Sequence, residues 1–189
     1  GSGNGGMTRA CLGAPPPTAP RAAPPPGACD SHLHVLGPYD RYPLAAARAY
    51  TAPEAPTAAL RHMLDRMGLD RAVIAHVSAH GADHRVTLVA MAELGDRVRG
   101  TMMPEAGISY AELEDLHMLG MRGVRLSSAF DRPVTVARLR AIADQVGPLG
   151  WHIAIWPAGL GDLEAVAAAT EGSPMPIVID HLGARCWDD

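Results

Sequence analysis

The stretch TVARLRAIADQVGPLGWHIAI, Thr135–Ile155, carries one whole unit of the fold. From Thr135 to Val146, Leu139, Ile142 and Val146 share a face at helical spacing, and Gly147 follows the last apolar residue. His152–Ile155 is then too short for a helix and rich in isoleucine, so it reads as a buried parallel strand. Working outward, the unit repeats. Leu60, Met63, Leu64 and Met67 precede Gly68, and Asp83 can cap a helix reaching Leu94 and Gly95. Ser109 and Glu112 form a capping box ahead of a helix ending at Gly120, and Asp162–Glu171 precedes Gly172. Apolar runs follow at Ala72–Val77, Arg99–Met103, Gly123–Leu126 and Ile177–Asp180, and Ala28–Val35 opens the series.

Six strands and five helices thus alternate, and the strands after the first start at 72, 99, 123, 152 and 177. Two architectures are built this way, a doubly wound sheet and a (β/α)8 barrel. No GxGxxG follows the first strand and no glycine cluster makes a phosphate loop, which disfavours the nucleotide-binding sheet. The predicted class is therefore α/β, of the (β/α)8 TIM-barrel type, truncated after its sixth strand. A complete barrel takes about 250 residues, a size two more such units would reach.

Composition sets the outer bounds. The 189 residues are 48% hydrophobic, 4% aromatic and 19% charged, with a formal net charge of −4. One domain with a sizeable core fits that length. An acidic balance argues against nucleic acid or an anionic membrane surface as partner. No apolar run approaches the roughly 18–20 residues of a membrane span. Three widely spaced cysteines, Cys11, Cys29 and Cys186, make neither a disulfide framework nor a CxxC zinc pattern, which suits a reducing compartment. Residues 1–27, with prolines at 15–17, 20 and 24–26, read as an extended or disordered leader, and residues 28–189 as the incomplete barrel domain. Gly1–Gly6 resembles an expression scar ahead of Met7, with a natural leader as the alternative, and with no basic-then-apolar signal a cytoplasmic location is expected. Oligomeric state stays open.

Barrel enzymes place their chemistry at the C-terminal ends of the strands. The first strand, CDSHLHV at Cys29–Val35, alternates so that Asp30, His32 and His34 share a face. Two imidazoles at that spacing can converge on one metal ion or one carbonyl oxygen. The plainer alternative is a pair of partly buried histidines satisfied by neighbours. The sixth strand runs into Asp180-His181, the second into Ser78 and His80, and the fifth begins at Trp151-His152. Strand ends are few, so His32, His34 and His181 together read as functional. His62 and His117 fall inside helices and His76 inside a strand, where surface and core roles suffice, while His84 opens a helix. Arg122, Arg125 and Arg132 gather around the fourth strand, where a guanidinium fork matches a carboxylate. Arg125, between Val124 and Leu126, needs an anion to face.

Together these residues resemble a known family. Cys29–Val35, Arg48-Ala-Tyr50-Thr51, His80-Gly-Ala-Asp83, Gly120-Met-Arg-Gly-Val-Arg125, Trp151-His152 and Ile179-Asp-His181-Leu-Gly183 are similar in order and spacing to the amidohydrolase superfamily. Within it they are most similar to the 2-pyrone-4,6-dicarboxylate lactonase group and its sugar-lactonase relatives. The resemblance covers about residues 26–185. It implies a (β/α)8 barrel of aromatic degradation that hydrolyses a small carboxylated lactone. It further implies that His32, His34 and His181 polarise the lactone carbonyl with no metal or other cofactor. Arg125, Tyr50 and Ser78, joined by Arg132 and Arg185, would hold the substrate carboxylates.

Three departures accompany the resemblance. Trp156 stands where the family often has tyrosine, and Asp83-His84 where it usually has Asp-Asn. The family's general base is an aspartate on an eighth strand, and Asp188 and Asp189 follow the sixth strand too closely to be that residue. Two other readings stay open. One is a zinc-dependent hydrolase or decarboxylase relative with His32, His34 and His181 as ligands. The other is an inactive barrel fragment whose unpaired strand edges make it aggregate or associate.

Overall fold

The computed structural model describes residues 9–128 and 133–186. Six parallel strands form one sheet in chain order: β1 (Cys29–Leu33), β2 (Arg71–Ile74), β3 (Val98–Met102), β4 (Met121–Ser127), β5 (His152–Trp156) and β6 (Ile177–Ile179). Helices α1 (Thr57–Met67), α2 (Arg85–Leu94), α3 (Tyr110–Met118), α4 (Val136–Val146) and α5 (Leu160–Thr170) alternate with them. Unbroken sequential order is that of a barrel wall, since a doubly wound sheet reverses at its switch point. Among the described residues no helix is long and apolar enough to cross a membrane.

The sheet is curled. Flat, it would hold β1 and β6 roughly 24 Å apart, at about 4.8 Å per strand. Yet His32 on β1 lies 3.4 Å from Asp180, just past β6. Side-chain alternation sorts the two faces. Ile153 and Ile155 of β5 are sealed with Leu64, Leu126 and Leu139 in the core. Alternation turns His152, Ala154 and Trp156 to the other, concave face. Their partners in register on β4 are Gly123, Arg125 and Ser127. The His152 ring fills the space Gly123 leaves open, for a Cβ there would come within 2.5 Å of it.

The helix starts follow local chemistry. Ser109 Oγ accepts from the Glu112 amide at 3.2 Å, and the Glu112 carboxylate accepts from the Ser109 amide at 2.8 Å. Thr135 Oγ1 caps α4 by accepting from the Arg138 amide at 3.2 Å. The expected cap at Asp83 is displaced by one residue. His84 occupies the N-cap of α2, and the Asp83 carboxylate takes the Arg85 amide at 3.2 Å together with the Arg85 guanidinium. Strand β1 is also less regular than its alternation suggests. Its register shifts between Asp30 and Leu33, and Asp30 Oδ1 accepts the His32 amide at 3.1 Å.

Part of the leader lies against the domain. Arg9–Ala10 pairs in parallel with Tyr50–Thr51, and the Cys11 amide donates to Thr51 O at 2.8 Å. Residues Cys11–Pro17 then form one wall of a cavity of about 620 Å³, opposite Leu33, His34 and Leu60. Among the described residues, β1 and β6 of the six-stranded sheet are paired on one side only, and Val178 is 46% exposed. A polypeptide of these 189 residues is therefore expected to self-associate through its strand edges. Light scattering checks this, and a monodisperse monomer with a cooperative melt contradicts it.

Two buried imidazoles make stability depend on pH. His76 is a core residue, as read. It donates from Nε2 to Gly81 O and accepts at Nδ1 from Thr87 Oγ1, both at 2.9 Å. Burial, with His84 nearby, pushes its pKa down to about 3. Burial likewise takes His34 to about 4, against the opposing bond to Ala75 O. Both rings protonate near 6.5 once unfolded. Their contribution is thus complete above that value and is lost as pH falls toward 4 and below. Linkage puts the loss between pH 7 and pH 5 at about 2 kcal/mol per ring. Urea melts at the two pH values test it, and equal stability would refute it.

Candidate active site

Strand ends bring together imidazoles that lie far apart in the chain. The rings of His32 and His34, at the end of β1, have centroids 5.2 Å apart. His181, following β6, lies 5.1 Å from His32 and 4.9 Å from Trp156. Its φ of 55° is in the left-handed region, a conformation that costs a non-glycine residue roughly 1–3 kcal/mol. His34 Nδ1 donates to Ala75 O at 2.8 Å, which leaves Nε2 as the acceptor of the neutral ring.

The anion that Arg125 needed is inside the protein. Its Nε donates to Asp180 Oδ2 at 3.0 Å and its Nη1 to His76 O at 3.3 Å. The guanidinium also lies 5.9 Å over the Trp156 ring. Arg125 and Asp180 are 2% and 3% exposed, so the pair is fully desolvated. Asp180 Oδ1 makes a longer contact, 3.4 Å, with His32 Nδ1. Burial alone would raise the Asp180 carboxyl, but His32 and the Arg125 guanidinium hold it below the usual carboxylate range. Nothing in the sequence reading singled out Asp180. The available signal was an acidic residue closing an apolar strand, next to an arginine without an anion.

Tyr50 and Ser78 also meet, joined by a side-chain hydrogen bond close to Arg125. Burial raises the phenol pKa against the opposing pull of Ser78 and Arg125. Arg132 lies outside the described residues, as does the side chain of Arg185. Arg122 turns away to other work, donating to His117 O at 2.6 Å and Met121 O at 2.7 Å, and so fastens α3 to β4. His80 donates from Nδ1 to Pro43 O at 3.3 Å, and His84 Nε2 accepts from the Met103 amide at 3.0 Å.

Among the described residues four buried polar atoms here make no hydrogen bond: His32 Nε2, Arg125 Nη2, Ser127 Oγ and Asp180 Oδ1, the last having only its 3.4 Å ion-pair contact with His32 Nδ1. Leaving such an atom unpaired costs about 1–3 kcal/mol. Their concentration in one concave mouth marks where a polar ligand is received.

The donor set is less suited to zinc. His32, Asp180 and His181 each offer a ligand atom, all within 4.8 Å of one another. Asp180 thus takes the place that the zinc alternative gave to His34. Its charge already balances Arg125, and a dication bound there would face the guanidinium beside it.

Comparison with known proteins follows the same lines. Residues 29–185 match the Amidohydrolase family. A 2-pyrone-4,6-dicarboxylate hydrolase of Comamonas testosteroni is 36% identical over 170 residues, which is 88% of this chain and 55% of that protein. A 4-sulfomuconolactone hydrolase of Rhizobium radiobacter is 35% identical over 90% of this chain and 60% of its own length. The chain therefore spans somewhat over half the length of these relatives. A solved Pseudomonas putida structure, described as a candidate 2-pyrone-4,6-dicarboxylic acid hydrolase, superposes with a TM-score of 0.67. It is 30% identical, with 83% of this chain and 57% of that one covered.

Proposed function

The chain belongs to the amidohydrolase family, and from that premise we propose that the protein is a hydrolase opening a small anionic lactone, such as 2-pyrone-4,6-dicarboxylate. The observation carrying this reading is the meeting of His32, His34 and His181 beside Arg125 at one concave mouth. In the same reading the curled sheet is six-eighths of a (β/α)8 barrel, and the mouth lies at its catalytic end.

The substrate's anionic group takes Arg125 Nη2, with the Tyr50–Ser78 pair as further donors. His32 and His181 face the lactone carbonyl oxygen as donors, while His34, its Nδ1 proton committed to Ala75 O, presents an accepting Nε2 that orients the attacking water. As water attacks, negative charge collects on that oxygen, and donors already aimed at it stabilise the transition state more than the ground state. Protonated His32 donates from Nε2 with Asp180 as its counter-charge. The proton of the attacking water goes to an aspartate that the family resemblance assigns to an eighth strand, and as the tetrahedral intermediate collapses the ring C–O bond breaks and that aspartate returns the proton to the departing ring oxygen. Asp180 is a poor base because Arg125 and His32 already hold its carboxylate. Arg132 and Arg185 would serve a second anionic group. The setting is a cytoplasmic enzyme of aromatic degradation, acting without a cofactor.

The test is an assay panel of pyrone dicarboxylate, muconolactone and sugar lactones, with and without chelator. Hydrolysis of at least one anionic lactone, unchanged by chelation and without stoichiometric zinc in the purified protein, is the expected result. Activity abolished by chelation and restored by zinc would favour the zinc reading, for which the His32–Asp180–His181 trio is the observation in support. No turnover of any lactone would reject the proposal.

A further inference from the structure

We infer that Asp180 is a positioning residue: one buried carboxylate that fixes which nitrogen His32 presents to the substrate and how Arg125 turns its free Nη2. The two carboxylate oxygens are divided between the two partners. Oδ2 receives Arg125 Nε at 3.0 Å, and Oδ1 faces His32 Nδ1 at 3.4 Å. Arg125 is pinned a second time, by His76 O at 3.3 Å. With Nε and Nη1 both committed, Nη2 is the nitrogen left over, and it is buried without a partner. His32 shows the same pattern. The negative charge of the carboxylate favours a proton on the ring nitrogen that faces it, so His32 keeps a proton at Nδ1, and Nε2, with the second proton of the charged ring, is the atom offered to the mouth. Nε2 is likewise buried and unpartnered. The two free nitrogens that could meet a ligand are therefore selected by the same side chain. Asp180 also precedes His181 directly, so anchoring it sets where the third imidazole leaves β6.

Asparagine at this position separates positioning from mere filling of space. Its amide has one accepting oxygen for two donors. The charged Arg125 takes the oxygen, and the NH2 group is left facing His32 Nδ1. That arrangement makes Nδ1 an acceptor, so the ring is neutral with its single proton on Nε2, a weaker donor in place of a charge-assisted one.

The kinetic part of the test rests on the lactonase reading, and the spectroscopic part does not. Long-range 15N–1H correlation spectra of the histidine rings report which nitrogen carries the proton. The unaltered chain is expected to show His32 protonated at Nδ1. Asp180→Asn is expected to remove that proton, leaving only the one on Nε2, and to lower kcat roughly 10–100-fold, the usual effect of losing the partner that orients a site imidazole. KM should change little, because Arg125 keeps its acceptor. A His32 Nδ1 without a proton in the unaltered chain overturns the inference, even if the variant does not fold. So does an Asp180→Asn protein in which His32 keeps its Nδ1 proton. If that proton is lost as expected while the unaltered protein hydrolyses no lactone, the positioning role stands and the lactonase reading falls.

Discussion

Arg125→Met is expected to destabilise the fold by about 3–5 kcal/mol, the cost of leaving a buried carboxylate with its counter-charge removed. Methionine fills much of the volume of the arginine stem, so the loss measures charge rather than packing. Asp180 is 3% exposed, and water cannot reach it to compensate. His32, the remaining group beside it, lies at the longer distance of 3.4 Å. The diagnostic result is the double variant. Adding Asp180→Leu to Arg125→Met removes the stranded charge and should recover most of the lost stability, since replacing both members of a buried pair is often neutral. Urea denaturation of the two single variants and the double variant gives the coupling directly. Additive losses would mean that the pair is not a unit. In an active protein the single Arg125 variant also loses the Nη2 donor, so a rise in KM for anionic lactones should accompany the instability.

The fold was legible because its signals are local. A capping box such as Ser109–Glu112 needs only four residues, and the runs at Ile153–Ile155 and Ile177–Ile179 announce buried strands by composition alone. Sequential strand order followed from the spacing of these units. The imidazole trio was legible as well, since each histidine sits at a strand end and a curled parallel sheet collects its strand ends. Asp180 was not legible, because its meaning lies in contacts with β4 and β1, distant in sequence. Standing alone it looks like the polar residue that ends a strand. The irregularity of β1 was hidden for a related reason: Asp30 bonds the amide of His32 only once the strand has bulged. Nor could composition show that Arg9–Ala10 pairs with Tyr50–Thr51. A leader rich in proline signals the lack of a core of its own, and says nothing about an edge offered by its neighbour.

His181→Gly should separate function from stability more sharply than any other single change. The residue has a φ of 55°, where glycine is at ease and histidine is not. Its side chain is exposed, with edge contacts to the rings of His32 and Trp156. Relief of backbone strain is offset in part by the greater freedom of glycine in the unfolded chain. The net effect on stability is expected to lie between zero and a gain of about 1 kcal/mol. Catalysis should move the other way. If His181 aims a donor at the carbonyl oxygen, its removal costs roughly 3–4 kcal/mol of transition-state stabilisation, a fall of about 100–1,000-fold in kcat. KM should barely change, because the donor engages most strongly after attack has begun. A thermal melt and a lactone assay on one preparation decide the matter. Unchanged turnover by the folded variant would remove His181 from the mechanism. A lower melting temperature together with lost activity would assign the residue to the scaffold, and its left-handed backbone would then need another explanation.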